Sequence, residues 1–220
     1  MTELSGYQFR MLREDSEFAF FRGERAGDAV SILVLERVAE RPAPASLARL
    51  EHECSLAAEL DPKWSARPQK LARHQGRTVL VLADPGGDLI AKTVGRPLEL
   101  TRFLQLAVSL TAALREVHRR GLVHKDVKPA NCLVDDAGNV RLTGFGIASR
   151  VPRERQSPTP PEVIAGTLAY MAPEQTGRMN RSIDARSDLS AGKLPGAAAR
   201  ANSPRRCVGR TESLKAGELC

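Results

Sequence analysis

A polar octapeptide, His124-Lys125-Asp126-Val127-Lys128-Pro129-Ala130-Asn131, stands between one long amphipathic segment and two short apolar ones. No other feature of the chain restricts its fold as tightly. The long segment, Thr101–Arg120, carries Phe103, Leu106, Leu110, Ala113 and Val117 at helical spacing. His118-Arg119-Arg120 and then Gly121 are stop signals, because cations suit the carbonyl end of a helix and glycine turns the chain away from it. On either side of the octapeptide, Leu122-Val123 before it and Cys132–Val134 and Val140–Leu142 after it are short apolar runs broken by polar turns, which predicts small strands framing functional loops.

Upstream, residues 1 to about 90 read as short strands with one helix. Phe18–Arg22 and Ala29–Leu35 form a predicted hairpin across Gly23–Asp28. Pro42-Ala43-Pro44 opens a helix over Ala45–Leu60, with Leu47, Leu50, Cys54 and Ala57 on its buried face. Gln69–His74 and Thr78–Leu82 make a second hairpin, and Asp84-Pro85-Gly86-Gly87 marks a boundary between lobes. Trp64 reads as a packed anchor, His52 and His74 as surface residues or strand partners, and His118 as a helix-end cation. Val151–Pro161 reads as an exposed loop. Ala191–Cys220 is rich in Ala, Gly, Arg and Ser and reads as a disordered tail, since it has too little apolar surface to offset the entropy of ordering.

Charge and cysteine content exclude several functions. Six basic residues against Glu212 and Glu218 in Ala191–Cys220 supply +4 of the formal net charge of +7. The body is therefore near balance and carries no basic groove for nucleic acid. Cys54, Cys132, Cys207 and Cys220 lack metal-ligand spacing and a disulfide pattern. Neither a secretory leader nor a membrane-spanning run is present, which points to the cytoplasm.

The octapeptide resembles the protein-kinase catalytic loop H-R-D-x-K-P-x-N. A second stretch, Gly166-Thr167-Leu168-Ala169-Tyr170-Met171-Ala172-Pro173-Glu174, resembles the end of a kinase activation segment. Together they imply an α+β, two-lobed protein-kinase-like fold of the serine/threonine type. The implied division is a small lobe over 1–83, the part of the large lobe with catalytic loop and activation segment over 84–190, and a non-kinase-like segment over 191–220. In that family Asp126 would accept the proton of a substrate hydroxyl, Lys128 would neutralise the phosphoryl in flight and Asn131 would hold magnesium. Thr167 would bond Asp126 and Lys128. His124 would pack as a structural residue, and Asp188 would brace the loop. ATP would meet Leu12, the hinge at Leu82, Ala83 and Asp84, the floor at Leu133, and Lys128 and Asn131. Leu142–Arg150 and Gly177–Asp184 are further similar to the N-terminal kinase-like domain of large bacterial hybrid signalling proteins, which also carry an ATPase module, a GAF sensor and often a histidine kinase.

Several positions depart from that pattern. The stretch in place of the glycine-rich loop, Leu12–Phe21, has no glycine, and Glu14, Asp15 and Glu17 would repel phosphate. Val30-Ser31-Ile32-Leu33 has leucine where the phosphate-holding lysine belongs, which leaves Glu53 to be read as a solvated helix charge. Gly144-Phe145-Gly146 lacks the metal-binding aspartate of D-F-G, and Asn131 alone is a weak magnesium ligand. Lys125 replaces the usual arginine and cannot grip a phosphorylated Ser157, Thr159 or Thr167 bidentately. The large lobe's next helix is expected not to start after Ser190, and Glu174 to lack its family arginine, so the large lobe is read as incomplete. These substitutions predict a pseudokinase that binds ATP and magnesium weakly or not at all and acts through a protein substrate or regulatory partner, with no nucleic acid and no membrane. The alternatives are an active serine/threonine kinase with Asp126 as base, and a non-functional fragment.

Overall fold

In a computed structural model, residues 4–28, 30–38, 44–93, 98–150, 166–179 and 181–191 are described. The loop read over Val151–Pro161, the sites Ser157 and Thr159, and the tail from Gly192 onward lie outside them. Five antiparallel strands come first: β1 (Tyr7–Glu14), β2 (Phe18–Arg25), β3 (Ile32–Arg37), β4 (Pro68–His74) and β5 (Arg77–Ala83). They lie in the order β1-β2-β3-β5-β4. The second predicted hairpin is found within a residue or so. The first is shifted along the chain, because β2 pairs with β3 from Phe18 to Gly23 and β3 begins only at Ile32. β1 itself was not anticipated; it overlaps the stretch read as a phosphate loop.

β1 contains the irregularity that matters most. Its register against β2 shifts between Met11 and Arg13, so Met11 pairs with Phe21 and Arg13 with Phe20 while Leu12 is left between them. Directly opposed residues share a sheet face, and Phe20 and Leu12 both belong to the same buried cluster. The bulge therefore turns Leu12 and Arg13 to one side, where regular alternation would have sent them to opposite sides.

Helix α1 (Pro44–Ser55) packs on β4 and β5 and ends five residues earlier than the sequence suggests. Its buried positions are Ser46, Leu50 and Glu53, with Leu47 and Cys54 only partly covered. This overturns the reading of Glu53 as a solvated charge, since only 1% of the residue is accessible. The cause lies on the far side of the cleft and is described below.

Helix α2 (Leu100–Arg119) is capped by Glu99, whose carboxylate accepts from the N–H groups of Thr101 and Arg102 at 3.1 Å each. Leu106, Leu110, Ala113, Leu114 and Val117 bury its inner stripe. A β-ladder of β6 (Asp88–Leu89), β8 (Cys132–Val134) and β9 (Val140–Leu142) lies alongside, and β7 (Leu122–Val123) pairs with β10 (Ser149–Arg150). Trp64 is buried edge-on to Phe145 with the Arg120 guanidinium over its ring. Cys132 points inward as expected, and burial pushes its thiol up to about 12. Asp188 lies in a short helix, α3 (Ala185–Ala191), and the stretch after Ser190 in which the large lobe's next helix is expected not to start lies, from Gly192 onward, outside the described residues. No described helix is long and apolar enough to cross a membrane.

Candidate active site

The octapeptide is held in place by α3 and by the fold beneath it. Asp188, fully buried, accepts from the backbone N–H groups of His124 and Lys125 at 2.8 Å each and contacts the His118 imidazole at 2.9 Å. Lys125 sits at φ +68°, a left-handed conformation that costs a side-chain-bearing residue energy and persists only under several constraints. Asp188 supplies one; the Gln175 amide, donating to the Lys125 carbonyl at 2.7 Å, supplies another. His124 is wholly buried, its ring tilted against that of Phe145 with the centroids 4.5 Å apart. Burial lowers its pKa, so the ring is neutral, with Nδ1 accepting from the Asp126 N–H and Nε2 donating to the Thr143 carbonyl. His124 is thus a packing residue, as the resemblance implied. Glu174 makes no close ion pair with an arginine among the described residues and accepts from the Ser187 hydroxyl at 2.7 Å, with Arg186 nearby.

Four of the expected site residues meet at one point. Lys128 Nζ lies 2.9 Å from Asp126 Oδ2 and donates to Thr167 Oγ1 at 2.6 Å. The Thr167 N–H donates to Asp126 Oδ1 at 3.0 Å. Asn131 Nδ2 donates to the Asp126 carbonyl at 2.8 Å and to Asp126 Oδ2 at 2.9 Å. Asp126 is therefore fixed by three side-chain or backbone donors, in a position to face a hydroxyl entering the cleft.

These four residues line a cavity of about 470 Å³ between the five-stranded sheet and the catalytic loop. Leu12, Leu82, Ala83, Asp84 and Leu133 are not among its lining residues. Leu12, Leu82 and Leu133 pack with Phe20, Leu33 and Leu89 in the core of the small sheet. Asp84 is a pin for the chain between the lobes. It forms a buried ion pair with Arg22 and accepts from the Ser31 hydroxyl at 2.6 Å and the Gly86 N–H at 2.9 Å.

On the opposite wall, three elements differ from a phosphate cradle. Leu33 is fully buried, and Leu35, on the same face of β3, is the strand's contribution to the cavity. Neither brings a cation. The β1–β2 turn closes on its own carboxylate: Asp15 Oδ1 accepts from the N–H groups of Glu17 at 2.9 Å and Phe18 at 2.8 Å. Burial opposes ionisation of Asp15, but those amides and the neighbouring Arg13 outweigh it and hold its carboxyl below the usual range. Glu17, from the same turn, pairs with Arg49 of α1.

Glu53 reaches across to the Gly144-Phe145-Gly146 segment and accepts from the Gly144 N–H at 3.1 Å. Burial pushes its carboxyl up to about 7, against the pull of the Phe145, Gly144 and Gly146 amides and of Arg13. Its partners are therefore backbone groups of the segment that lost its aspartate. Arg13, which sequence reasoning missed, completes the arrangement. Its Nη2 donates to Asn131 Oδ1 at 3.1 Å, its Nη1 to Asp15 at 2.9 Å, and it lies 5.4 Å over the Phe20 ring. No sequence signal marks it, because the bulge that aims it has no residue signature of its own.

Magnesium does not fit this arrangement. Among the described residues lining the cavity the side-chain amide oxygen is that of Asn131, which accepts from Arg13, and Gly144 has no side chain. Among the described residues no group of three or more His, Cys, Asp or Glu is placed to hold a metal ion. A phosphate chain finds cations on both walls of the cavity, Arg13 and Arg49 on the small-lobe side and Lys128 on the catalytic loop.

A two-lobed arrangement with this loop, this threonine and this brace defines a protein-kinase domain. The family model for the protein kinase domain matches residues 39–192, and the chain belongs to that family, as a domain of the serine/threonine kind. The DNA damage-responsive serine/threonine-protein kinase RqkA of Deinococcus radiodurans is 44% identical over 95 residues, 43% of this chain and 14% of that protein. The probable serine/threonine-protein kinase PknB of Corynebacterium glutamicum is 32% identical over 148 residues, 65% of this chain and 21% of its own length. CBL-interacting protein kinase 16 of Oryza sativa subsp. japonica is 30% identical over 191 residues, 84% of this chain. The match spans 41% of that relative, so the chain corresponds to a part of each of these proteins.

Proposed function

We propose that this chain is a pseudokinase, a regulatory domain that keeps the kinase scaffold and lacks phosphoryl transfer. Residues 1–83 make its small lobe and 84–190 the part of the large lobe that carries the loop. The observation that carries this reading is Glu53. In a working site of this family the helix glutamate orients a lysine on the nucleotide phosphates. Here it is turned to the amides of Gly144-Phe145-Gly146 and is partly protonated at neutral pH. The β1–β2 turn, its amides satisfied by Asp15, offers the phosphates no replacement. Such a domain acts by presenting its surface to a regulatory protein partner in bacterial signalling in the cytoplasm, and it holds nucleotide weakly.

A second reading is favoured by one observation. Asp126, Lys128 and Thr167 are assembled as a hydroxyl-phosphorylating site requires, with Asp126 as base. Both readings meet in one assay: transfer of labelled γ-phosphate from ATP to the chain itself and to a generic protein substrate. The pseudokinase reading expects incorporation equal to that of Asp126→Ala. Incorporation in the wild type that Asp126→Ala abolishes would establish a kinase.

A further inference from the structure

Asn131 Oδ1, the atom the resemblance assigns to a metal, accepts a hydrogen bond from Arg13 instead. Two features of the chain put the guanidinium there. The bulge at Leu12 turns Arg13 to the cleft side of β1, opposite Phe20. The Asp15 carboxylate, itself fixed by the turn amides, holds the other end of the fork at 2.9 Å. The side chain is 14% exposed, so the cation is largely withdrawn from water. Of its donors, Nη1 and Nη2 have partners within the chain, whereas Nε–H is buried without an acceptor among the described residues. A buried donor left unmet is costly, and an incoming oxygen that meets it recovers that cost.

We propose that Arg13 stands in the place of the divalent cation and makes the cleft a metal-independent site for a polyphosphate chain. The inference rests on the pseudokinase reading, in which no metal has to organise a transfer. The wall carboxylates other than Glu14 are largely spoken for. Asp15 is paired with Arg13, Glu17 with Arg49 and Asp126 with Lys128, while Glu53 is turned to the amides of Gly144-Phe145-Gly146. Arg13 and Lys128 then approach a phosphate chain from opposite walls, and charge-assisted bonds from a guanidinium fork are the strongest the site offers. A magnesium ion brought in with the nucleotide would face Arg13 at its own ligand and be repelled.

The test is a thermal-shift and equilibrium-binding titration of the full 220-residue chain. ATP and inorganic tripolyphosphate serve as probes, each with chelator and with magnesium. The expected result is a rise in melting temperature with chelated ATP at least as large as with magnesium. It should fall by about tenfold or more in affinity in Arg13→Ala and be partly kept in Arg13→Lys. A response to both probes means that the phosphate chain is recognised by itself, and a response to ATP alone means that the base contributes; both support the site. Binding that requires magnesium, binding unchanged in Arg13→Ala, or no binding by a cooperatively melting wild type would overturn it. None of these readouts depends on phosphoryl transfer, so the inference fails separately from the pseudokinase reading.

Discussion

Glu53 accepts a hydrogen bond from the Gly144 amide, 91 residues away along the chain, at 3.1 Å. The contact joins α1 of the small lobe to the segment after the catalytic loop without any opposing charge. It has a pH signature. The folded pKa of about 7 lies above the ordinary glutamate value of 4.5, so the folded state binds the proton more tightly than the unfolded chain. Stability from this group is thus fully present below about pH 4.5 and is lost as pH rises towards 7. The loss is on the order of 3 kcal/mol. Glu53→Gln is expected to flatten that part of the stability curve, whatever its absolute cost, as measured by urea unfolding from pH 4.5 to 8.

Restoring the missing aspartate does not restore a metal site. Gly144 has φ +80°, and a Cβ built there would lie 2.8 Å from Asn131 Nδ2 and 2.9 Å from its Cγ. Asn131 cannot withdraw freely, because it is bonded to both Asp126 and Arg13. Gly144→Asp is expected to lower stability by about 1–3 kcal/mol and to leave the melting temperature insensitive to magnesium. A magnesium-dependent rise in this variant would contradict the crowding argument.

Asp84 was read from the sequence as a nucleotide-contacting hinge residue, and its geometry makes it structural. Its side chain is fully buried against Arg22. Asp84→Ala leaves that guanidinium uncompensated and is expected to cost about 3–5 kcal/mol. Replacing both partners by apolar residues, Arg22→Met with Asp84→Leu, is expected to cost less than the single change. A double-mutant cycle by chemical denaturation measures the difference.

The catalytic loop depends on one carboxylate outside it. Asp188→Asn keeps the shape of the side chain but turns one acceptor into a donor facing a backbone N–H. A loss of about 2–4 kcal/mol is expected, with faster amide exchange at His124 and Lys125 in particular. Unchanged exchange at those two amides would mean that Gln175 and the surrounding packing suffice to hold the left-handed Lys125.

The loop was legible because its chemistry is written in side-chain identities at fixed short spacing. Asp126, Lys128 and Asn131 span six positions, and Thr167 could be tied to them through a second run of recognisable residues. The helices were legible as stripes, α2 above all. What escaped was decided by backbone. Glu53 looks like a solvent charge because the groups that receive it are N–H donors, which every residue but proline possesses. The β-bulge at Leu12 reverses the side-chain alternation of β1, so Arg13 could not be assigned to the cleft by counting. The expected nucleotide contacts show a related limit: Leu12, Leu82 and Leu133 pack in the core of the small sheet, and side-chain identity alone does not separate a core leucine from one that faces a nucleotide.

The clasp of Asp188 on the octapeptide also has a consequence in time. The carboxylate lies 64 residues downstream of the His124 amide it receives. At a synthesis rate of roughly 5–20 residues per second, about 3 to 13 seconds pass between emergence of the two from a ribosome. Until then the left-handed turn at Lys125 lacks its principal restraint, whereas the five-stranded sheet, all of it encoded upstream, is already free to pair. The loop that defines the family thus gains this restraint only after the whole five-stranded sheet has been translated.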